Sequence, residues 1–177
     1  MGYLYRMKDR IIERACQAIF GKPLISNNYR GLLVEAIVAE ALGSEWKWVS
    51  EDWSAWDFER SDGMRLEVKQ SAALQSWHRS GLKRPNPRFD CAARTGRWAG
   101  SIWIPEPQRF ADIYVFAYHS EMNAELADHR VSDQWAFFVV PETSLPVQKS
   151  IGLTKVKELA LQASHTNLRA VVESFIT

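Results

Sequence analysis

The stretch from Ala55 to Ser71 constrains the fold most, because it reads as a β-hairpin whose register can be worked out residue by residue. Ser61-Asp62-Gly63 is a three-residue loop with glycine in its third place, which suits a type I turn closed by a left-handed glycine. On either side the residues alternate: Trp56 and Phe58 are apolar and Asp57 and Glu59 charged, then Leu66 and Val68 are apolar and Arg65, Glu67 and Lys69 charged. A period of two is that of a strand with one buried face. The loop sets Arg60 opposite Met64, Glu59 opposite Arg65, Phe58 opposite Leu66 and Asp57 opposite Glu67, with both apolar sets on one side. Glu59 with Arg65 is an ordinary cross-strand ion pair. Asp57 opposite Glu67 is not, since facing like charges destabilise a sheet by roughly a few tenths to one kcal/mol. A cation or a proton is therefore expected between them. Lys69 lies two residues on, on the same face. Two carboxylates and a lysine so placed suit a divalent metal and a phosphate.

Asp57 followed across a hairpin by Glu67-Val68-Lys69 resembles the PD-(D/E)xK nuclease superfamily, the restriction-endonuclease-like fold. Trp56 stands where the name of that pattern has proline. The resemblance extends from the helix at Tyr29 to the strands near Val140. A closer likeness is to an uncharacterised bacterial group with a stretch like that from Arg65 to Trp77. The resemblance implies a single α/β domain over residues 1–177, with a mixed central sheet flanked by helices on both faces. It implies a Mg²⁺ or Mn²⁺ ion held by Asp57, Glu67 and the Val68 carbonyl. Lys69 would orient or activate the attacking water and offset charge on the phosphate, with Gln70 assisting. Glu35 is the matching position for a helical glutamate that joins such a site, directly or through water.

Glu35 also stands out by itself. It lies in the apolar helix expected over residues 28–42, between Gly31 and Leu32 on one side and Val38 and Ala39 on the other. A buried carboxylate needs a partner or a metal, or keeps its proton. The competing readings are a salt-bridged structural Glu35, and Glu40 as the site residue; Glu40 is nearer the helix end and solvated. That helix should be covered on most sides and end at Gly43. An earlier amphipathic helix over 5–20 carries Ile11, Ile12, Ala15 and Ile19 on one stripe.

After the hairpin, 72–79 suits a short helix. Residues 79–109 are rich in proline and glycine, and hold Arg79, Lys83, Arg84, Arg88, Arg94, Arg97 and Arg109 against only Asp90 and Glu106. Net charge over the whole chain is +1, so any attraction for nucleic acid must be local. Phe89, Trp98 and Trp103 are interleaved with these cations, a mixture suited to phosphate contact and base stacking. Lys83, Arg84, Arg88 and Arg97 are the nucleic-acid-binding candidates, with DNA the expected partner. The competing reading is a solvated loop with arginines packed on tryptophans. Arg88 to Ala92 is expected to lie as a strand beside the hairpin. The near-continuous apolar runs of 112–119 and 134–140 suit central strands covered on both faces. Residues 148–153 suit a short edge strand, and Leu168, Val171, Val172, Phe175 and Ile176 mark a last helix.

Other chemistries find no pattern. The four histidines and two cysteines have no zinc spacing, and there is no glycine-rich phosphate loop or nucleophile elbow. The 46% hydrophobic and 12% aromatic content belongs to a globular chain of 177 residues, with no run long enough for a membrane span. A cytoplasmic location follows by default, and a homodimer is left open. The functional expectation is a Mg²⁺-dependent nuclease acting on DNA. Its alternative is a nuclease-fold binding or assembly module whose site is idle.

Overall fold

In the computed structural model, residues 2–49, 54–77 and 86–176 are described, with the side chains of the first helix from Met7 onward. The chain begins with α1 (Gly2–Phe20) and α2 (Asn27–Leu42), then β1 (Trp46–Trp48), β2 (Phe58–Arg60) and β3 (Arg65–Ala72). Next come β4 (Arg88–Asp90), β5 (Arg97–Ala99), β6 (Ile102–Ile104), β7 (Ile113–His119) and β8 (Trp135–Pro141). The last part is β9 (Ser150–Gly152), α3 (Leu153–Leu159), β10 (Leu161–Ala163) and α4 (Leu168–Glu173).

Six strands form one sheet in the order β1-β2-β3-β7-β8-β10. Only β3 and β7 are parallel, so the sheet is mixed. The alternation of β7 and β8 shows why their sequences are apolar throughout. Val115, Ala117, Phe137 and Val139 face a core closed by Val34 and Val38 of α2 and Leu168 of α4. Tyr114, Phe116, Phe138 and Val140 face a second core with Val156 of α3, Phe89 of β4 and Ile151 of β9. Helices therefore cover both faces. β4 lies near β3 of the hairpin, as expected, but its strand partner is β9, in a small second sheet where Phe89 enters the second core opposite Ile151.

The hairpin register is the expected one, with Phe58 opposite Leu66 and Glu59 opposite Arg65. Gly63 takes the left-handed conformation at φ 87°. Two details differ. β3 is a central strand between β2 and β7; Leu66 and Val68 enter the first core on one face, and on the other Arg94 reaches over Glu67, which is only 4% exposed. The regular ladder also stops at Phe58. It is the Asp57 amide that donates to Leu66 O, at 3.0 Å. This irregularity resets the phase of the chain before it. Trp56 consequently packs against the second core, beneath the Arg65 guanidinium at 3.9 Å, and not beside Phe58.

α2 buries a single stripe of Arg30, Val34, Val38 and Leu42, four residues apart, while Leu32 is 43% exposed. From Arg30 onward the rest of the helix is half-buried, with Ile37, Ala39 and Ala41 packed on the core and only Leu32 and Glu40 exposed, so it is covered on most sides, as expected. Gly43 ends it at φ 74°, its N–H donating to Ala39 O. Residues 73–77 form bends and a turn, not a helix, because Ala73 and Leu74 are drawn into the interior in succession.

Candidate functional site

β3 brings Glu67 and Lys69 onto one side of the sheet, and their side chains form an ion pair. Asp57 approaches from the bend before β2 and is fixed by three bonds. Its N–H donates to Leu66 O, its carbonyl accepts the Val49 N–H at 2.8 Å, and its Oδ2 accepts the Val68 N–H at 2.6 Å. The carboxylate thus takes up an amide that the ladder would otherwise bond, which ties Asp57 to the strand carrying Glu67 and Lys69. Glu35 reaches the same neighbourhood from α2, where its Oε2 accepts the Trp48 indole N–H at 3.1 Å.

The electrostatics of these groups are coupled. Burial, then the charges of Glu67 and Glu35, push the Asp57 carboxyl up to about 7, against the pull of the Val68 N–H and Lys69. Glu35 is raised as well, first by burial and further by Glu67, with Trp48 and Lys69 opposing. Asp57, Glu67, Glu35 and Lys69 therefore feel one another.

Glu67 has a further partner that its sequence neighbourhood does not reveal. Arg94 donates through Nη2 to Glu67 Oε1 at 3.2 Å, the same oxygen that Lys69 engages. Reciprocal backbone bonds between Arg94 and Gln108 hold the arginine there. In the sequence Arg94 is only one of seven cations in a loop. Nothing in its spacing ties it to Glu67.

The donor set suits a hard divalent cation. Asp57 Oδ1 and Glu67 Oε2 have no partner among the described residues, and the carboxylates repel one another. No three of His, Cys, Asp and Glu lie close enough among the described residues to form a ready cage. Mg²⁺ does not require one, since it commonly keeps several waters and takes one or two carboxylates.

Gln70 points elsewhere. Its Oε1 accepts the Arg30 Nε–H at 2.6 Å, and its amide donates to Asn27 Oδ1 at 3.3 Å. Arg97 of β5 pairs with Glu106 at 3.6 Å. It lies beside Trp98 and Trp103, whose rings meet edge to face at 5.4 Å. Arg88 of β4 bonds Ser150 on β9. Lys83 and Arg84 lie outside the described residues, as do Arg79 and His78. His119 and His129 are fully buried and hydrogen-bonded, a structural pair.

No protein-family model matches the chain, and no curated protein or solved structure shows significant similarity to it. Among the described residues, no helix is long and apolar enough to cross a membrane.

Proposed function

We propose that this protein is a divalent-metal-dependent nuclease of the restriction-endonuclease-like kind, hydrolysing phosphodiester bonds of DNA. The observation that carries the reading is the Asp57 carboxyl, pushed up to about 7 by burial beside Glu67 and Glu35 and locked to the strand that bears Lys69. Groups perturbed by desolvation and by specific neighbours concentrate at functional sites. A mixed sheet with helices on both faces is compatible with the proposed fold.

Asp57 and Glu67 would hold the ion, with Glu35 close by, and the ion would supply Lewis-acid stabilisation of phosphoryl oxygens. The chain's own residues do the rest. Lys69 and Arg94 present positive charge where the phosphate gains negative charge. In hydrolysis a water oxygen bonds to phosphorus, a proton leaves that water, and the bond to the departing oxygen breaks as that oxygen takes up a proton. Lys69 orients the water and offsets charge on the phosphate.

One observation favours the idle-module alternative. Glu67 Oε1 already serves two cations, so the acid is neutralised without a metal. Calorimetric Mn²⁺ titration, thermal melting and a cleavage assay on wild type, Lys69→Met and Asp57→Ala decide between them. The nuclease reading expects Lys69→Met to keep metal binding while cleavage falls by roughly two to four orders of magnitude. Asp57→Ala loses both. A wild type that binds no metal and cuts nothing, with Lys69→Met melting several degrees lower, establishes the idle module instead.

A further inference from the structure

Arg30 is 2% exposed, and its guanidinium donates to three neutral amide oxygens: Gln70 Oε1 at 2.6 Å, Gln75 Oε1 at 2.7 Å and Asn27 Oδ1 at 2.7 Å. No carboxylate among the described residues pairs with it. Amide dipoles orient a guanidinium but leave its charge uncancelled, and a buried charge is costly without a counter-charge. Burial lowers Arg30 to about 10, a sign of that unrelieved cost. Of the five N–H donors on a guanidinium, two remain.

Arg30 lines a cleft of about 550 Å³ that also takes in Ser71, Ser76, Trp77 and Arg88. Among the described residues its walls hold two arginines and no acidic residue. Arg88 is itself turned to a serine, bonding Ser150 Oγ at 2.7 Å, and has no ion-pair partner among the described residues. The volume lies within the range of about 300–1,000 Å³ typical of small-ligand sites. Trp77, 62% exposed, offers a ring for stacking at the rim.

We infer that this cleft is a phosphate-binding subsite, in which Arg30 and Arg88 take the anion and the serine hydroxyls complete its hydrogen bonds. Planar guanidinium groups suit phosphate oxygens. Ser71, a wall residue of the cleft, lies two positions beyond Lys69 on β3 and on the same face, and at about 3.3 Å per residue that places it about 7 Å along the strand from the lysine to which the nuclease reading gives the catalytic role. Assigning the phosphate to a nucleic-acid strand rests on the nuclease reading. On that reading the cleft holds either a backbone phosphate neighbouring the scissile one or a terminal phosphate.

The test uses the full chain without metal, inorganic phosphate as probe, and chloride at matched ionic strength as control. Wild-type Tm is expected to rise with phosphate beyond its rise with chloride. Arg88→Ala should weaken the apparent phosphate affinity about tenfold or more. Ser76→Asp, at an exposed position, places a carboxylate at the rim and should abolish the response. Equal responses to phosphate and chloride overturn the proposal, and so does the same phosphate response in wild type and both variants. Competition by short oligonucleotides with and without a 5′-phosphate identifies the source. Tighter competition by the phosphorylated form marks a terminal phosphate, and equal competition marks a backbone one. Failure of both to displace inorganic phosphate overturns the assignment to nucleic acid. Cleavage is measured separately, in the assay on wild type, Lys69→Met and Asp57→Ala. Phosphate binding by a protein that cuts nothing removes the nuclease reading alone, and a cutting protein indifferent to phosphate removes the subsite alone.

Discussion

A carboxylate that accepts an amide N–H ordinarily titrates low, yet Asp57 accepts one from Val68 at 2.6 Å and is pushed up to about 7. Desolvation and the adjacent acids outweigh that bond. The sign of the resulting pH dependence follows. A folded-state pKa above the unfolded value of 3.8 means that the native chain holds its proton longer, so stability from this group falls as pH rises from about 4 to about 7. His129 works in the opposite direction. Burial lowers it to about 4, so the stability of its neutral form is lost as pH falls from 6.5 toward 4. Asp57→Asn should therefore gain stability relative to wild type as pH is raised from 5 to 8 without metal, and the buried His119–His129 pair, both lowered by burial, should shape the acid limb of both proteins. Melting temperatures across that range check this, and a difference between wild type and Asp57→Asn that does not change with pH would refute it. Loop length and register made Asp57 and Glu67 legible as neighbours, although the ladder stops at Phe58 and does not set them opposite each other. The sequence could not show the bulge at Asp57, because that depends on Trp56 finding room in the second core. Nor could it show Arg94 on Glu67, a pairing between residues 27 positions apart.

At the scale of elements, what could be read was periodicity, and what could not was pairing across distance. The apolar runs of β7 and β8 forecast central strands because both of their faces pack. α2 hid one thing: its apolar residues run all round, so their periodicity carries no phase, and only the structure shows which stripe is fully buried. β4 was legible as a strand, but its partner β9 lies some sixty residues on. α3 and β10, seven and three residues long, are too short for a periodic pattern to rise above their setting. The single stripe of α2 makes a sharp prediction. Leu42, fully buried, should cost about 2–5 kcal/mol when changed to alanine. Leu32→Ala should stay within about 0.5 kcal/mol, since Leu32 is 43% exposed. Urea unfolding of the two variants measures both. Equal losses would mean that α2 is covered on its outer side after all, by a partner or a second copy.

Over the whole molecule, a net charge of +1 gives no general attraction for a polyanion, so binding depends on where the cations stand. The seven cations of residues 79–109 are not equally available. Arg94 is held by Glu67, Arg97 by Glu106, and Arg109 by Glu142 and the carbonyls of Leu145 and Pro146. The local excess is therefore smaller than the sequence implies, and Arg88 is the described cation with no acidic partner among the described residues. A triple variant with alanine at Arg84, Arg88 and Arg97 should weaken DNA binding and flatten its salt dependence. Every phosphate that the protein no longer neutralises takes about 0.9 off the slope of log K against log salt on duplex DNA. Arg97 should contribute least, because a released Glu106 offsets what the phosphate loses. Asp57→Ala is the internal control: it alters the metal-binding acids but no phosphate-facing cation, so its slope should match wild type. Fluorescence anisotropy on single- and double-stranded DNA from about 50 to 200 mM salt reads all three proteins. An unchanged slope in the triple variant, on both substrates, would place the nucleic-acid surface elsewhere. A slope that falls equally in Asp57→Ala would mean that the mutation disturbs the fold and not the site.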